Sequence, residues 1–233
     1  MSQLLIIAPH PDDAEIHCGG TIAAHVRLGA SVVVADATRG ELASRGSPEE
    51  RAREAAAASR ILGLTARENL GLRDGYLSTG DSAARDAIID CLRRHRPAVV
   101  IALSGHARHP DHVALSGLVE VALKGAELHG LKTSAPAHRG MRLWWCEAEV
   151  RISPDLLVPL TAEDWARKME AVRCYGSQLH QAGGGPLTTI SQPGFLDDIE
   201  DRGRAWGREA GAPFAEAFAR GLDLPRIQDL RAC

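Results

Sequence analysis

The sequence has little cysteine, and its cysteines follow neither of the usual structural patterns. The five residues are widely spaced, their number is odd, and no Cys-x-x-Cys pair occurs. A disulfide framework and a thiolate zinc site are therefore both disfavoured. We interpret most of the cysteines as small buried hydrophobic residues, and we expect any metal to take nitrogen and oxygen ligands. The five are Cys18, Cys91, Cys146, Cys174 and Cys233.

Clustered positive charge and long apolar runs are also missing. The 27 Lys and Arg side chains are outnumbered by 30 Asp and Glu, for a formal net charge of -3, and no basic patch stands out. A nucleic-acid partner is therefore not expected. No uncharged apolar run is long enough to cross a bilayer, so no membrane partner is expected either. The start, Met-Ser-Gln and then the apolar run 4–8, lacks the features of a signal peptide, which predicts a cytoplasmic protein.

The pattern that is present is that of an ordinary globular α/β protein. The chain has 233 residues, 45% hydrophobic and 24% charged, which predicts one domain over 1–233. Apolar runs alternate with helical patterns, and this order predicts a Rossmann-like, mostly parallel sheet with helices on both faces and a loop-rich C-terminal third. Strands are predicted at 4–8, 31–37, 68–70, 98–103, 142–146 and 156–158. Helices are predicted at about 18–29, 48–62, 82–95, 112–130, 161–175 and 199–209, with a loop at 178–193.

Two segments rich in metal-ligand side chains follow predicted core strands. The first is His10-Pro11-Asp12-Asp13 with Glu15, directly after the strand at 4–8. The second runs from His106 to His112, directly after the strand at 98–103, and holds three of the ten histidines. Ligands of open α/β sheets bind at the carboxyl ends of the strands. Both segments are therefore expected to border the functional site.

The residue types in these segments suit a catalytic metal. Catalytic zinc takes three nitrogen or oxygen ligands and keeps one position for water. A His and an Asp three residues apart in a proline-containing turn suit one ion, with a third ligand from the second segment. The adjacent carboxylates, Asp12 and Asp13, suggest that one binds the metal while the other accepts a proton from water.

The same segments admit other interpretations. An Asp-Asp pair often caps a helix, and a histidine after a strand is often only a loop residue. Cys18-Gly19-Gly20 after a strand, with Asp36 ending the next one, is reminiscent of a nucleotide site, but the G-x-G-x-x-G spacing is absent and two carboxylates would repel a pyrophosphate. A serine hydrolase is disfavoured because no G-x-S-x-G occurs. A non-catalytic metal- or nucleotide-binding module stays open as the alternative class.

Both segments resemble the signatures of one enzyme group. The run from Ala8 to Glu15 reads Ala-Pro-His-Pro-Asp-Asp-Ala-Glu, and the run from His109 to His112 reads His-Pro-Asp-His. They resemble the LmbE/PIG-L group of zinc-dependent N-acetylglucosaminyl deacetylases, and within it the bacillithiol-pathway enzymes that act on N-acetylglucosaminyl-malate. Further similar segments lie at 38–42, 48–51, 61–63, 67–72, 175–178, 205–207 and 214–218.

The resemblance implies a metal centre and catalytic roles. Zinc, for which Fe²⁺ is an alternative with the same ligands, would be held by His10, Asp13 and His112. Asp12 would accept the proton of the attacking water and return it to the leaving amine, with His109 as the second candidate for that last step. Protonated His109 would stabilise the developing oxyanion, and Asp111 would orient His109.

The same resemblance predicts substrate contacts. Glu15 is expected to accept hydrogen bonds from sugar hydroxyls, and Arg51 and Arg108 to hold an anionic aglycone such as malate. Gln178 is expected either to line the pocket or to cap its own loop. His17, where the group has a small residue, and the loop 104–108, which lacks an acidic residue immediately before Arg108, depart from the pattern of the group and are expected to alter the pocket wall, with His17 and His106 near it. Other N-acetyl amino sugars, such as a chitin fragment or an antibiotic intermediate, and cleavage of a thiol-sugar conjugate remain alternatives, and the sequence leaves a homo-oligomer open.

Overall fold

The computed structural model describes residues 3–180 and 185–221. Its strands are β1 Gln3–Ala8, β2 Ser31–Thr38, β3 Ala66–Leu72, β4 Val99–Leu103, β5 Arg142–Cys146, β6 Leu156–Leu160 and β7 Phe214–Arg220. Its helices are α1 Asp13–Arg27, α2 Pro48–Leu62, α3 Ser82–His95, α4 Pro110–Ala126, α5 Ala162–Arg173 and α6 Phe195–Ala210. In this part of the chain no helix combines the length and the apolar character needed to cross a membrane.

The seven strands form one sheet in the order β3-β2-β1-β4-β5-β7-β6. The pairs among β1 to β5 are parallel, whereas β7 is antiparallel to both of its neighbours. Apolar side chains of β1 alternate between two cores: Ile6 packs with α1 and α2 on one face, and Leu5 packs with α3 and α4 on the other. The expectation of a mostly parallel sheet with helices on both faces is confirmed.

Local sequence explains the helix at 48–62. Ser47 accepts a hydrogen bond from the main-chain N–H of Glu50 at 3.1 Å, and Pro48 occupies the first turn. Gly63 ends the helix in the left-handed conformation, at φ 73°, which glycine adopts without a steric cost. These are the start and stop features on which the prediction of this helix rested.

Three helices begin earlier than predicted, and one strand was missed. Helix α1 begins at Asp13 rather than near Cys18, α4 at Pro110 rather than at His112, and α6 at Phe195 rather than near Ile199. The two metal-ligand segments therefore form the first turns of α1 and α4 and not only loops. The missed strand, β7, inserts between β5 and β6, and its residues pair with partners 54 to 76 positions away, which local patterns do not encode.

A break inside α1 explains why the start of this helix was predicted too late in the sequence. The helix is interrupted at Cys18, which has φ -140° and ψ 20°. The break frees the main-chain N–H groups of Gly20 and Thr21, and the Glu216 carboxylate on β7 accepts both, at 3.0 and 2.7 Å. Lys168 on α5 donates to the same carboxylate at 2.6 Å. A strand near the end of the described chain thus caps the second half of α1.

The cysteine prediction is confirmed for three residues. Cys18, Cys91 and Cys146 are buried, and Cys174 is half-buried. Cys233 lies outside the described residues, as does 181–184 within the predicted loop at 178–193. The other described residues of that loop are in turns and irregular structure before α6.

Candidate metal centre

Strand pairing brings the two predicted segments together. β1 pairs directly with β4, so residues 9–13 and 104–112 leave neighbouring strand ends on the same edge of the sheet. The rings of His10 and His112 lie with centroids 5.6 Å apart, and His109 lies 4.9 Å from His10 and 5.0 Å from His112. The arrangement is the one that the strand order predicts.

The spacing of Asp13 and the two buried histidines fits one ion. Oδ2 of Asp13 lies 3.1 Å from Nδ1 of His10 and 3.3 Å from Nε2 of His112. Two ligands at zinc-bonding distance in a tetrahedron are about 3.4 Å apart, so these atoms already have the separation of neighbouring ligands. His10, Asp13 and His112 are all buried. The residues present therefore fit a tetrahedral ion with an open position.

His109 presents an alternative ligand atom. Atoms of His10, His109 and His112 lie within 4.8 Å of one another. His109, however, is exposed, and its Nδ1 accepts the main-chain N–H of Asp111 at 3.2 Å as the cap of α4. This contact occupies Nδ1, and His109 is one of the residues that line the cavity. The buried set with Asp13 is the better protected from water.

Carboxylates around His10 favour a cation at this position. Burial lowers the pKa of His10, but hydrogen bonds to Asp111, Asp13 and Asp74 outweigh this effect and raise the pKa well above its usual value. Burial likewise opposes ionisation of Asp13, yet the neighbouring His112 and His10 hold its pKa well below the usual range. The interactions that favour a proton on His10 also favour a divalent cation, because metal and proton compete for the same ligand atoms.

Asp74 is a site residue that sequence reasoning missed. Its Oδ1 lies 3.0 Å from Nε2 of His10, on the side of the ring away from Asp13. A carboxylate behind a ligating imidazole fixes the ring orientation and raises its basicity. Asp74 follows β3, at the same sheet edge as His10, so its position after a predicted strand was the available signal.

Glu149 is the second residue that was missed. Its Oε1 lies 3.5 Å from Nδ1 of His112, and its Oε2 accepts the main-chain N–H of Arg108 at 2.8 Å. Glu149 follows β5, the neighbour of β4, so it too comes from the carboxyl edge of the sheet. Each of the two buried histidines therefore has a carboxylate on its outer side.

Asp111 contacts both His10 and His109. Its carboxylate accepts the main-chain N–H groups of Gly75 and Leu77, at 2.7 and 3.2 Å, and lies 3.4 Å from Nε2 of His10. The carboxylate is therefore placed to support His10. Asp111 does orient His109, but through its main-chain N–H, because His109 caps the helix in which Asp111 stands.

Asp12 has the environment of a proton acceptor. Its side chain is only 3% exposed, and burial raises its pKa to about 7, although the adjacent Arg51 guanidinium, 2.9 Å away, acts in the opposite direction. A pKa near neutrality suits a general base. Its φ of 128° lies in a region that non-glycine residues rarely adopt, and such backbone strain is found mostly at functional sites.

Two of the side chains expected to contact the substrate have protein partners in the structure. Glu15 is fully buried, pairs with Arg67 at 2.5 Å, and is not among the described side chains that line the cavity. Arg51 borders the cavity, and its guanidinium bonds to the Asp12 carboxylate and to the carbonyl of Pro11. The substrate contacts expected of the two residues stay predictions.

The cavity over the centre has a volume of about 520 Å³. Arg108, with 76% of its side chain exposed, and Arg202 line it from opposite segments. Gln178 does both things expected of it, because it lines the cavity and donates to the Arg45 carbonyl at 2.7 Å. His17 also lines the cavity, and burial lowers its pKa to about 3, so its ring is neutral. His106 is not among the described lining residues.

Fold and site together define the class of protein: a mostly parallel α/β sheet with a group of His and Asp side chains that could hold a metal ion, at the carboxyl ends of the neighbouring inner strands β1 and β4. The family described as PIG-L, GlcNAc-PI de-N-acetylase, matches residues 5–123. The chain belongs to this family, which confirms the resemblance drawn from the two signatures. The matched region contains every predicted metal ligand.

Individual proteins similar to this chain include deacetylases named for the same N-acetylated sugar on two different aglycones, inositol and malate. A 1D-myo-inositol 2-acetamido-2-deoxy-alpha-D-glucopyranoside deacetylase of Kineococcus radiotolerans is 33% identical, in a match that covers 48% of this chain and 42% of that protein. A probable N-acetyl-alpha-D-glucosaminyl L-malate deacetylase 2 of Bacillus anthracis is also 33% identical, with 52% and 58% covered. The chain thus spans about half the length of the curated relatives that it matches.

A solved structure is similar over the whole fold. The crystal structure of a conserved protein from Thermus thermophilus superimposes with a TM-score of 0.85 at 37% identity. The match covers 98% of both chains. The seven-stranded sheet and its helices are therefore shared with an experimentally determined structure.

Proposed function

We propose that this protein is a zinc-dependent hydrolase that removes the acetyl group from the nitrogen of an N-acetylglucosaminyl substrate. The observation that carries the proposal is the placement of Asp13 between His10 and His112, with Asp12 in the same turn beside the cavity. Membership of the de-N-acetylase family supports it. The proposed substrate is a small amino-sugar molecule.

His10, Asp13 and His112 would hold the ion, and Asp74 and Glu149 would keep the two imidazoles in orientation. When bound, zinc supplies a Lewis acid that polarises the amide carbonyl and acidifies a water molecule. Fe²⁺ can bind the same types of ligand, so the choice of zinc as the metal is itself part of the proposal.

Asp12 would accept the proton of the attacking water. Its pKa of about 7 leaves the carboxylate substantially ionised at neutral pH and still basic enough to take a proton. The protonated Asp12 carboxyl would then deliver this proton to the departing nitrogen, since the nitrogen must gain a proton to leave as a neutral amine and not as an amide anion.

His109 would stabilise the carbonyl oxygen as negative charge develops on it. Burial, together with His10 and His112, lowers the pKa of His109, which favours a neutral ring. With Nδ1 accepting from the main chain, the proton of that ring lies on Nε2, and His109 lines the cavity. We therefore propose a neutral hydrogen-bond donor here, in place of the protonated imidazole expected from the sequence.

The test separates metal binding from catalysis. For Asp12→Ala we expect a loss of amine release of roughly 10²-fold or more, with the metal content of the purified protein unchanged. For His112→Ala we expect metal and activity to fall together, while His129→Ala, at an exposed histidine, retains both. Metal loss in Asp12→Ala would make Asp12 a ligand, and full metal occupancy in His112→Ala would refute the ligand set.

For the aglycone we propose malate, as in bacillithiol biosynthesis. The similarity to a protein named as a malate deacetylase supports this, as does the exposed Arg108 at the cavity wall. The decisive measurement is kcat/KM on N-acetylglucosaminyl-malate, on the inositol glycoside and on plain N-acetylglucosamine. We expect Arg108→Gln to raise KM about tenfold for the malate substrate, equivalent to about 1.4 kcal/mol, and to leave the other two unchanged. Equal efficiency on all three would remove the reason for an anionic aglycone.

Four further expectations from the sequence stay predictions: a cytoplasmic location, a single domain, and the lack of a nucleic-acid or a membrane partner. A homo-oligomer likewise stays open. Size-exclusion chromatography with light scattering would settle the oligomeric state.

A further inference from the structure

A second group of metal-ligand side chains lies on the face of the sheet that α3 covers. Glu68 stands on the edge strand β3, and Cys91 and His95 stand one helical turn apart on α3. Sγ of Cys91 donates to Oε1 of Glu68 at 3.1 Å, and Nε2 of His95 lies 2.7 Å from the same oxygen. One ligand atom from each residue lies within 4.8 Å of the others.

We propose that Glu68, Cys91 and His95 form a second divalent-metal site, selective for a thiophilic ion of the zinc class, that ties the edge strand to α3. A thiolate, an imidazole and a carboxylate are the three ligand types that zinc takes in proteins, and water can supply the fourth position. This site shares no residue with the catalytic centre and does not depend on the proposed deacetylase activity.

The distances require only a small rearrangement. Around a tetrahedral zinc, sulfur, nitrogen and oxygen ligands lie about 3.4 to 3.6 Å apart. The two contacts at Glu68 are shorter than this by a few tenths of an ångström to just under 1 Å, because they are direct hydrogen bonds. Glu68 and His95 are partly exposed, with 25% and 18% of their side chains accessible, so they have room to separate and the ion has a path of entry.

Neighbouring charges hold Glu68 in a ligating position. Its second oxygen, Oε2, accepts from Arg94 at 2.8 Å, and Arg94 also donates to Asp90 at 2.9 Å. Burial raises the pKa of Glu68, but the contacts with Arg94, Cys91 and His95 outweigh this effect and lower the pKa, so Glu68 is a carboxylate. A divalent ion with one thiolate, one carboxylate and a neutral imidazole would be neutral overall, and the adjacent Arg94–Asp90 pair adds no net charge.

The thiol limits which ions can bind. Burial and the Glu68 carboxylate raise the pKa of Cys91 well above its usual value, so the sulfur keeps its proton unless a cation replaces it. Hard ions such as Mg²⁺ and Ca²⁺ prefer oxygen and gain little from sulfur, whereas zinc-like ions displace thiol protons. Binding would release a proton and weaken as the pH falls.

Cobalt(II) distinguishes this site from the catalytic centre. A cobalt–thiolate bond gives a near-ultraviolet charge-transfer band, and the proposed catalytic ligands contain no sulfur. We expect the band when the wild-type protein is titrated with Co²⁺, and we expect Cys91→Ser to abolish it. Cys174→Ser is the matched control, because Cys174 is a half-buried cysteine outside both groups, and it should keep the band.

Two further variants test the site without changing the buried Cys91, whose replacement could impair folding. His95→Ala and Glu68→Gln change partly exposed side chains, and each should weaken Co²⁺ binding at the band by about tenfold or more, with far-ultraviolet circular dichroism unchanged. His112→Ala should lose the catalytic ion and keep the band. No band in the wild-type protein, or a band that persists in Cys91→Ser, would overturn the second site.

Discussion

Asp12 shows how one residue combines strain, burial and a paired charge. Its φ of 128° is held in place by Arg51, which bonds to the Asp12 carboxylate and to the carbonyl of the residue before it. Burial raises the pKa of this carboxylate and the Arg51 charge lowers it, with a balance at about 7. Arg51 is thus placed to tune the proton acceptor, and this assigns a function to a residue first expected to hold the substrate.

Replacing Arg51 should therefore change the pH dependence of the reaction. Because Arg51 lowers the pKa of Asp12 and only the ionised carboxylate accepts a proton, Arg51→Gln should move the acidic limb of the kcat/KM profile to higher pH. Opposite charges at this distance shift a pKa by about 1 unit or more. Arg53→Gln, an exposed arginine on the same helix, should leave the limb in place, and an unmoved limb in Arg51→Gln would contradict the tuning role.

At the scale of elements, α5 is the helix whose start is most completely specified by local sequence. Thr161 and Asp164 form a reciprocal capping box, each accepting the main-chain N–H of the other, at 3.1 Å in both directions. The Asp164 carboxylate also pairs with Arg27 of α1 through two hydrogen bonds of 2.9 Å. One side chain therefore both begins α5 and fastens it to α1.

We expect Asp164→Ala to lower the free energy of unfolding by about 1–2 kcal/mol, the usual cost of a lost cap. Burial opposes ionisation of Asp164, but Arg27 and Thr161 outweigh it and lower its pKa in the folded protein. The contribution is thus complete above the unfolded-state pKa and is lost as the pH falls through the folded one. Urea unfolding at neutral and acidic pH measures this, and the difference between variant and wild type should shrink in acid.

The neighbouring Glu163 provides the control for this helix. Its side chain lies in the same first turn and is 67% exposed, paired only with Arg167 at 3.4 Å among the described residues. Glu163→Ala should change stability by less than about 0.5 kcal/mol. An equal loss in both variants would show that the first turn matters only through its charge and not through the cap.

Elements built from local signals were predictable, and those that depend on distant partners were not. Ser47, Pro48 and Gly63 mark α2 within a few residues of sequence, and the alternation of core strands with helices predicted the mostly parallel sheet. β7 was missed because its place between β5 and β6 is determined by tertiary pairing. The start of α1 was misplaced because its break at Cys18 is stabilised by Glu216, almost 200 residues later.

The same distinction applies to the site. His10, Asp13 and His112 lie in two short signatures that follow predicted strands, so the sequence alone was enough to group them as one candidate site. Asp74 and Glu149 are single acidic residues in loops, and their only sequence signal is that each follows a predicted strand. The burial and pairing of Glu15 and Arg51 appear only when the chain is folded.

At the scale of the whole molecule, the Glu216 carboxylate joins three parts of the chain. It receives the N–H groups of Gly20 and Thr21 and the ammonium of Lys168, and its side chain is only 5% exposed. Removing one member of a buried pair leaves an uncompensated charge and costs about 3–5 kcal/mol. Glu216→Ala also leaves two N–H groups of α1 without their acceptor.

We therefore expect Glu216→Ala to lower the free energy of unfolding by at least about 3 kcal/mol. Lys168→Met should cost less, because Glu216 would retain its two main-chain donors. Thermal and urea unfolding of the two variants, with metal content measured alongside, tests this order. Equal losses would mean that the capping of α1 contributes nothing beyond the ion pair.

The broken helix has a consequence for where this protein can be divided. A fragment that ended after α4 would carry His10, Asp12, Asp13, His109 and His112, and it would include the whole of residues 5–123, which the family match covers. It would nevertheless lack Glu216, Lys168 and Glu149, and with them the groups that complete the first helix and orient one ligand. A fragment that ends after α4 would therefore contain the proposed ligand and catalytic side chains but not the residues that hold them in place. The smallest part of the chain that could be transferred as a functional unit extends to β7.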